Sequence, residues 1–202
     1  MKYLYLLILL TIVTATNAFS QRFEGGLLGG LNASQVDGDT YSGYNKPGIV
    51  AGAYVINNFS ERLFAGMEIK YAQKGSRKNP NYKTGDQDRS VIRLNYIDLP
   101  VYLGIHTGEK TAVLGGLSAG YLVHSSVDIN FGSFQTEPSF KEFDIQGMLG
   151  FRFQLTNRLS VDLRGAYSVL PISNQTISEL NYWATNQFNN LISTTVLYRL
   201  DF

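Results

Sequence analysis

Cysteine is absent from all 202 residues, and that absence excludes several chemistries at once. There can be no disulfide framework, no thiolate metal site, no cysteine nucleophile and no lipid-modified cysteine of the lipoprotein kind. Histidine occurs twice, which leaves little material for a histidine-based metal centre. Neither sign of charge dominates, with 17 Lys and Arg against 16 Asp and Glu, so no basic surplus points to nucleic acid. Beyond residue 20, no window holds the roughly 20 consecutive apolar residues of a membrane-spanning helix. Gly, Tyr and Phe are plentiful, while the mean hydropathy stays near zero. That average suits a soluble protein. It also suits a transmembrane barrel, in which the water-facing half of each strand cancels the lipid-facing half.

The N-terminus stands apart. Met1, Lys2 and Tyr3 make a short basic start, Leu4 to Val13 is apolar, and small or polar residues lead to Ala18-Phe19-Ser20. This is the three-part pattern of a secretory signal peptide, residues 1–20, with cleavage expected after Ser20 or, as second choice, after Ala18. The remaining domain is 21–202. Removing Lys2 leaves it with equal numbers of basic and acidic side chains.

The domain repeats a rhythm of strand, long loop, strand, short turn. Strands are expected at Arg22–Ala33, Pro47–Ile56, Arg62–Lys74, Ser90–Ile105, Thr111–His124, Glu142–Gln154, Leu159–Leu170 and Phe188–Phe202. Long polar links follow the first, third, fifth and seventh, and tight turns the second, fourth and sixth. This connectivity predicts an all-β fold, an eight-stranded antiparallel up-and-down transmembrane β-barrel, with long loops outside and short turns in the periplasm.

Alternation shows which face is wet, because successive side chains on a strand point to opposite faces. Met67, Ile69 and Tyr71 oppose Glu68, Lys70 and Ala72. Phe143, Ile145, Leu149, Phe151 and Phe153 oppose Asp144, Gln146, Arg152 and Gln154. Leu163, Gly165 and Tyr167 oppose Asp162, Arg164 and Ser168, and Ile192, Thr194, Val196 and Tyr198 oppose Ser193, Thr195, Arg199 and Asp201. Opposite charges lie close together on the polar faces (Glu68/Lys70, Asp162/Arg164, Arg199/Asp201), and bulky aromatics sit near strand ends. Both features favour a polar interior and a lipid-facing exterior over a lipocalin-like soluble carrier with an apolar calyx. A lumen of eight strands is narrow, so its charges must pair across it, and the expectation is a side-chain-filled lumen.

The fourth strand is irregular. Ile92, Leu94 and Tyr96 oppose Arg93 and Asn95, yet Asp98 then falls on the apolar side, and Pro100 cannot donate to a ladder. A β-bulge between Tyr96 and Pro100 would restore parity and turn Asp98 inward.

The runs "GLLGGLNASQVDGD", "GYNKPGIVAGAYV", "EIKYAQKGSR" and above all "LNYIDLPVYLG" resemble the PorT-type outer-membrane β-barrel proteins common in Bacteroidota, over essentially the whole of 21–202. The resemblance implies an outer-membrane barrel. It also implies a link to protein secretion, in which a founding member takes part alongside gliding. It brings no catalytic, cofactor-binding or metal-binding residues, and no cofactor.

Candidate chemistry is sparse. His106 falls in a turn. His124, followed by Ser126 and further on by Glu137 and Glu142, resembles the local motif of lipid A deacylase barrels, where a serine needs a neighbouring base to attack an ester. That makes an outer-membrane lipid A hydrolase one alternative, and a narrow channel or small-ligand binder another. Asp37, Gly38 and Asp39 lack the calcium-loop pattern, and the loop from Lys74 to Arg89 reads as a solvated or lipopolysaccharide-facing surface. The leading expectation is a non-enzymatic structural or accessory barrel. Its expected partners are outer-membrane lipids and lipopolysaccharide, the barrel-assembly machinery that would read the terminal amphipathic strand, and proteins of a secretion or outer-membrane complex.

Overall fold

Period-two patterning of this length becomes strand in the computed structural model, which describes residues 23–201 apart from 40–42, 81–84, 86–88, 130–131, 135–139 and 174–185. Residues 1–22, which include the expected signal peptide, and Phe202 lie outside the described residues. The strands are β1 (Phe23–Asp37), β2 (Lys46–Asn58), β3 (Leu63–Lys78), β4 (Ser90–His106), β5 (Thr111–Ile129), β6 (Gly132–Phe134), β7 (Phe143–Gln154), β8 (Leu159–Ser168) and β9 (Phe188–Leu200). Each long strand pairs antiparallel with its neighbours, β9 returns to β1, and β4 pairs with β5. The result is a closed ring of eight strands, with β6 a short addition to the far end of β5. Closure removes every free edge from the ring, which is what an apolar solvent demands of a sheet.

Several strands run further than expected. β1 continues to Asp37, β3 to Lys78 and β5 to Ile129. Polarity suggested loops there, but the backbone stays in the ladder. Ser34 to Asp37 pair with Leu191 to Phe188, Gly75 to Lys78 with Arg93 to Ser90, and Ser125 to Ile129 with Leu94 to Ser90. The sheet therefore rises past its apolar band at the long-loop rim, where polar side chains cost nothing.

The faces divide as alternation predicts. Leu27, Met67, Ile69, Leu103, Leu117, Leu149, Phe151, Leu163 and Val196 are outward and exposed, while Glu68, Asp98, Asp144, Arg152, Asp162 and Arg164 are buried inside. Leu149 is 72% exposed and Asp162 0%, the inverse of a soluble barrel with an apolar calyx. Outward aromatics gather at both ends of the wall: Phe23, Phe59, Phe153 and Tyr198 towards the short turns, Tyr44, Tyr121, Phe143 and Tyr167 towards the long loops.

The fourth strand corrects the parity argument. Asp98 does face inward, at 3% exposure, but no bulge lies between Tyr96 and Pro100. Ile92, Leu94 and Tyr96 are themselves buried inside, on the same face as Asp98. The irregularity sits one strand over. Asn95 pairs with His124 and Tyr96 with Leu122, so Val123 of β5 is the extra residue. Pro100 leaves its mark on the other side, where pairing lapses between Met67↔Val101 and Lys70↔Asp98, since its nitrogen carries no hydrogen.

Two reciprocal aromatic–glycine pairs fill the short-turn half of the lumen. Phe64 lies opposite Gly104, and Tyr102 opposite Gly66. A Cβ on Gly66 would stand 2.3 Å from Tyr102 Cζ, and one on Gly104 would stand 2.1 Å from Phe64 Cζ. Only glycine lets these rings lie flat on the neighbouring strand.

Candidate functional site

The inward face of the ring is the chemically distinctive part of the molecule, and it is layered. Towards the short turns lies an apolar and aromatic stratum that includes Leu28, Tyr54, Phe64, Tyr102, Leu114 and Leu197. Above it lies a first ion cluster. Arg152 on β7 donates Nε to Asp162 Oδ1 at 2.7 Å and Nη2 to Asp162 Oδ2 at 2.8 Å, and Nη2 also reaches the Tyr102 hydroxyl at 3.0 Å. Arg164 on β8 pairs with the same Asp162 and crosses the lumen to Glu68 Oε1 at 2.5 Å. Lys70 closes the cluster at 3.3 Å from Glu68.

A second cluster follows. Lys74 Nζ lies 2.9 Å from Asp98 and 3.4 Å from Asp144, 4.5 Å over the Tyr96 ring. Asp144 is the hub here. It also accepts from Ser168 Oγ at 2.7 Å, Gln146 Nε2 at 2.8 Å and Asn189 Nδ2 at 2.9 Å. Across the two clusters, four carboxylates (Glu68, Asp98, Asp144, Asp162) meet four cations (Lys70, Lys74, Arg152, Arg164). A buried charge is tolerated when it is paired and hydrogen-bonded, and this balance meets that condition. The long-loop end is then closed by a second apolar cluster of Val36, Ile92, Leu94, Tyr96 and Ile172, with Leu122, Val127 and Phe140 packed on it. Backbone bonds from Lys141 to Ile172 and from Ile172 to Gln187 hold this cap in place.

The sequence-predicted residues fall variously. The neighbours Glu68/Lys70 and Asp162/Arg164 pair within their strands, and the expected pairing across the lumen is made by Arg164 with Glu68. Arg199 and Asp201 do not pair with each other. Arg199 lies 3.5 Å from Glu24, and Asp201 meets Arg158. Lys74, read as the start of a surface loop, is 1% exposed in the lumen, because β3 does not end there. Asp37 takes hydrogen bonds from Gln35 and Asn190, and among the described residues no group of acidic or histidine side chains is arranged for a metal.

His124 lies beside the β5 bulge with its side chain exposed, opposite Asn95, and Ser126 is half-buried opposite Arg93. No hydrogen bond joins His124 to Ser126 or to Glu142, and Glu137 lies outside the described residues. His106 packs against Phe64 with ring centroids 4.9 Å apart and the planes tilted by 43°. The roles of Tyr102 and Asn189 went unread in the sequence. Alternation alone could have placed Tyr102 inward had the parity of β4 been taken from Asp98.

Two openings adjoin this interior and its wall. Beneath Arg152 is a cavity of about 160 Å³ at the short-turn rim, lined by Glu24, Phe64, His106, Lys110, Arg158 and Arg199 among others. On the outer wall a shallow apolar groove of about 620 Å³ runs over Gly115, Gly147, Leu149, Gly165, Tyr167 and Ile192.

A closed antiparallel ring with an apolar outer wall, aromatic ends and a charged interior defines a transmembrane β-barrel of the outer-membrane class. Residues 17–174 match the family described as outer membrane protein beta-barrel domain, and the chain belongs to that family. A search of curated proteins finds no match. Among solved structures, the chain is similar to Ail, the attachment invasion locus protein of Yersinia pestis, crystallised with the heparin analogue sucrose octasulfate. The TM-score is 0.52 at 13% identity, over 88% of this chain and 99% of that one. It is also similar to Neisserial surface protein A, with a TM-score of 0.56 at 13% identity, over 88% of this chain and 97% of that one. At these identities the likeness concerns the fold. The protein is an outer-membrane β-barrel whose fold is that of Ail and NspA.

Proposed function

We propose that this protein is a non-enzymatic structural or accessory component of the outer membrane, acting through its wall and outer loops on protein partners. A secretion or outer-membrane complex, as the PorT-type resemblance implies, is the setting. The observation that carries this reading is the filled lumen. Four carboxylates and four cations are engaged with one another across it, beneath an apolar cap. An interior built this way supports the wall and offers no path for solutes.

The N-terminal 20 residues direct export and are removed, and the amphipathic last strand addresses the chain to the assembly machinery. Outer-membrane lipids and lipopolysaccharide surround the wall. The hydrolase alternative gains no support from His124, which is exposed and makes no hydrogen bond to Ser126. Mass spectrometry of lipid A from cells with and without the gene tests it, and unchanged acylation is the expected result. Affinity purification of the tagged protein in mild detergent tests the main proposal. Stable co-purification of envelope proteins supports it, and recovery of the barrel alone at native expression level counts against it.

A further inference from the structure

The lumen is capped at its long-loop end and opens at its short-turn rim. The cavity of about 160 Å³ at that rim is the size of cavity, about 150 Å³, that accepts a benzene ring. Its walls combine two chemistries. One side is apolar, formed by Phe64, Ile56 and Leu197. The other carries Lys110, Arg152, Arg158 and Arg199 against a single carboxylate, Glu24.

Not all of that positive charge is spent. Arg199 is 3.5 Å from Glu24, and Arg158 meets Asp201 on the rim. Arg152, with its side chain 9% exposed, gives Nε and Nη2 to Asp162 and Tyr102, while Nη1 makes no hydrogen bond to a described residue. Lys110 stands in the turn between β4 and β5 with no ion pair to a described residue. Glu109, its chain neighbour, lies outside the cavity lining. The cavity therefore combines the nine-tenths-buried Arg152 guanidinium, the exposed Lys110 ammonium and a largely buried apolar flank.

We propose that this vestibule is a binding site for a small carboxylate with a compact apolar body, drawn from the periplasm. The carboxylate takes the free edge of Arg152 and the Lys110 ammonium, two charge-assisted contacts of the strong kind. The apolar body lies against the Tyr54, Ile56 and Phe64 side of the cavity. The site is independent of the accessory role proposed above and needs only the barrel itself.

Benzoate and its neutral isostere benzamide are the probes. Equilibrium dialysis of the full-length folded protein in zwitterionic micelles, with empty micelles as the blank, reads their binding. Benzoate is expected to bind saturably at one site and benzamide at least about tenfold more weakly, one charge-assisted contact corresponding to about a tenfold change. Lys110→Gln, in an exposed turn, is expected to weaken benzoate binding about tenfold. Glu24→Gln removes the one competing carboxylate and is expected to strengthen it. Opposite signs from these two variants, each verified as folded by its heat-dependent gel mobility, are the signature of the site. Equal uptake of benzoate and benzamide, or no response to either substitution, overturns the proposal.

Discussion

The guanidinium of Arg164 on β8 reaches the Glu68 carboxylate on β3 at 2.5 Å, and these strands are not neighbours in the ring. The bond is a strut across the lumen. It joins the Lys70–Glu68 pair to the Arg152–Asp162 pair, so that three strands, β3, β7 and β8, share one electrostatic cluster. A barrel wall held from inside in this way has little freedom to flatten or open.

Glu68→Gln strips Lys70 of its ion-pair partner among the described residues and Arg164 of one of two. Leaving buried cations uncompensated is expected to cost about 3–5 kcal/mol, read as a lower urea midpoint for unfolding in detergent micelles. Arg164→Met alone leaves one carboxylate in excess and also destabilises. The double variant returns the lumen to equal numbers of each sign, so its loss is expected to be clearly smaller than the sum of the two single losses.

Gly66→Ala places a methyl group 2.3 Å from the Tyr102 ring. Displacing that ring disturbs its hydroxyl contact with Arg152, and the expected cost is about 1–3 kcal/mol. Gly165→Ala is the control. Its Cβ would meet nothing within 4 Å on the lipid-facing wall, and its effect is expected to stay within about 0.5 kcal/mol. Unfolding curves of the two variants in the same micelles make the comparison.

These contrasts also mark what could be read from the sequence. The strand number, the long and short links and the inward faces of β3, β7, β8 and β9 follow from period-two patterning, and the structure agrees. Patterning failed on β4 for a physical reason. Near the outer rim the lumen is capped by Ile92, Leu94 and Tyr96, so inward no longer means polar, and an apolar run was assigned to the lipid face. Strands β1, β3 and β5 run past Ala33, Lys74 and His124, where polarity predicts loops, because polar residues above the membrane band remain paired. The cross-lumen partners were out of reach altogether. Which carboxylate meets which cation depends on the stagger of strands around the ring, and Glu68 and Arg164 are 96 residues apart.

Removing Tyr198 to Phe202 takes away the end of β9 that pairs with Gly25 to Leu27 of β1 and with Leu159 of β8. The seam closing the ring then has an unpaired edge in hydrocarbon, where each unsatisfied backbone group costs several kcal/mol. The truncated protein is expected to be missing from the outer membrane fraction and to show no heat-dependent shift in gel mobility. Normal assembly would show that the seam closes without those residues.

The central claim is that side chains close the lumen, and single-molecule conductance in a planar lipid bilayer tests it most directly. The purified, folded protein is expected to insert without producing ion-conducting steps above the bare bilayer, at either polarity. Reproducible, ohmic steps that scale with salt concentration would contradict the account, because they would require a water-filled path through the Glu68–Arg164 and Lys74–Asp144 layers.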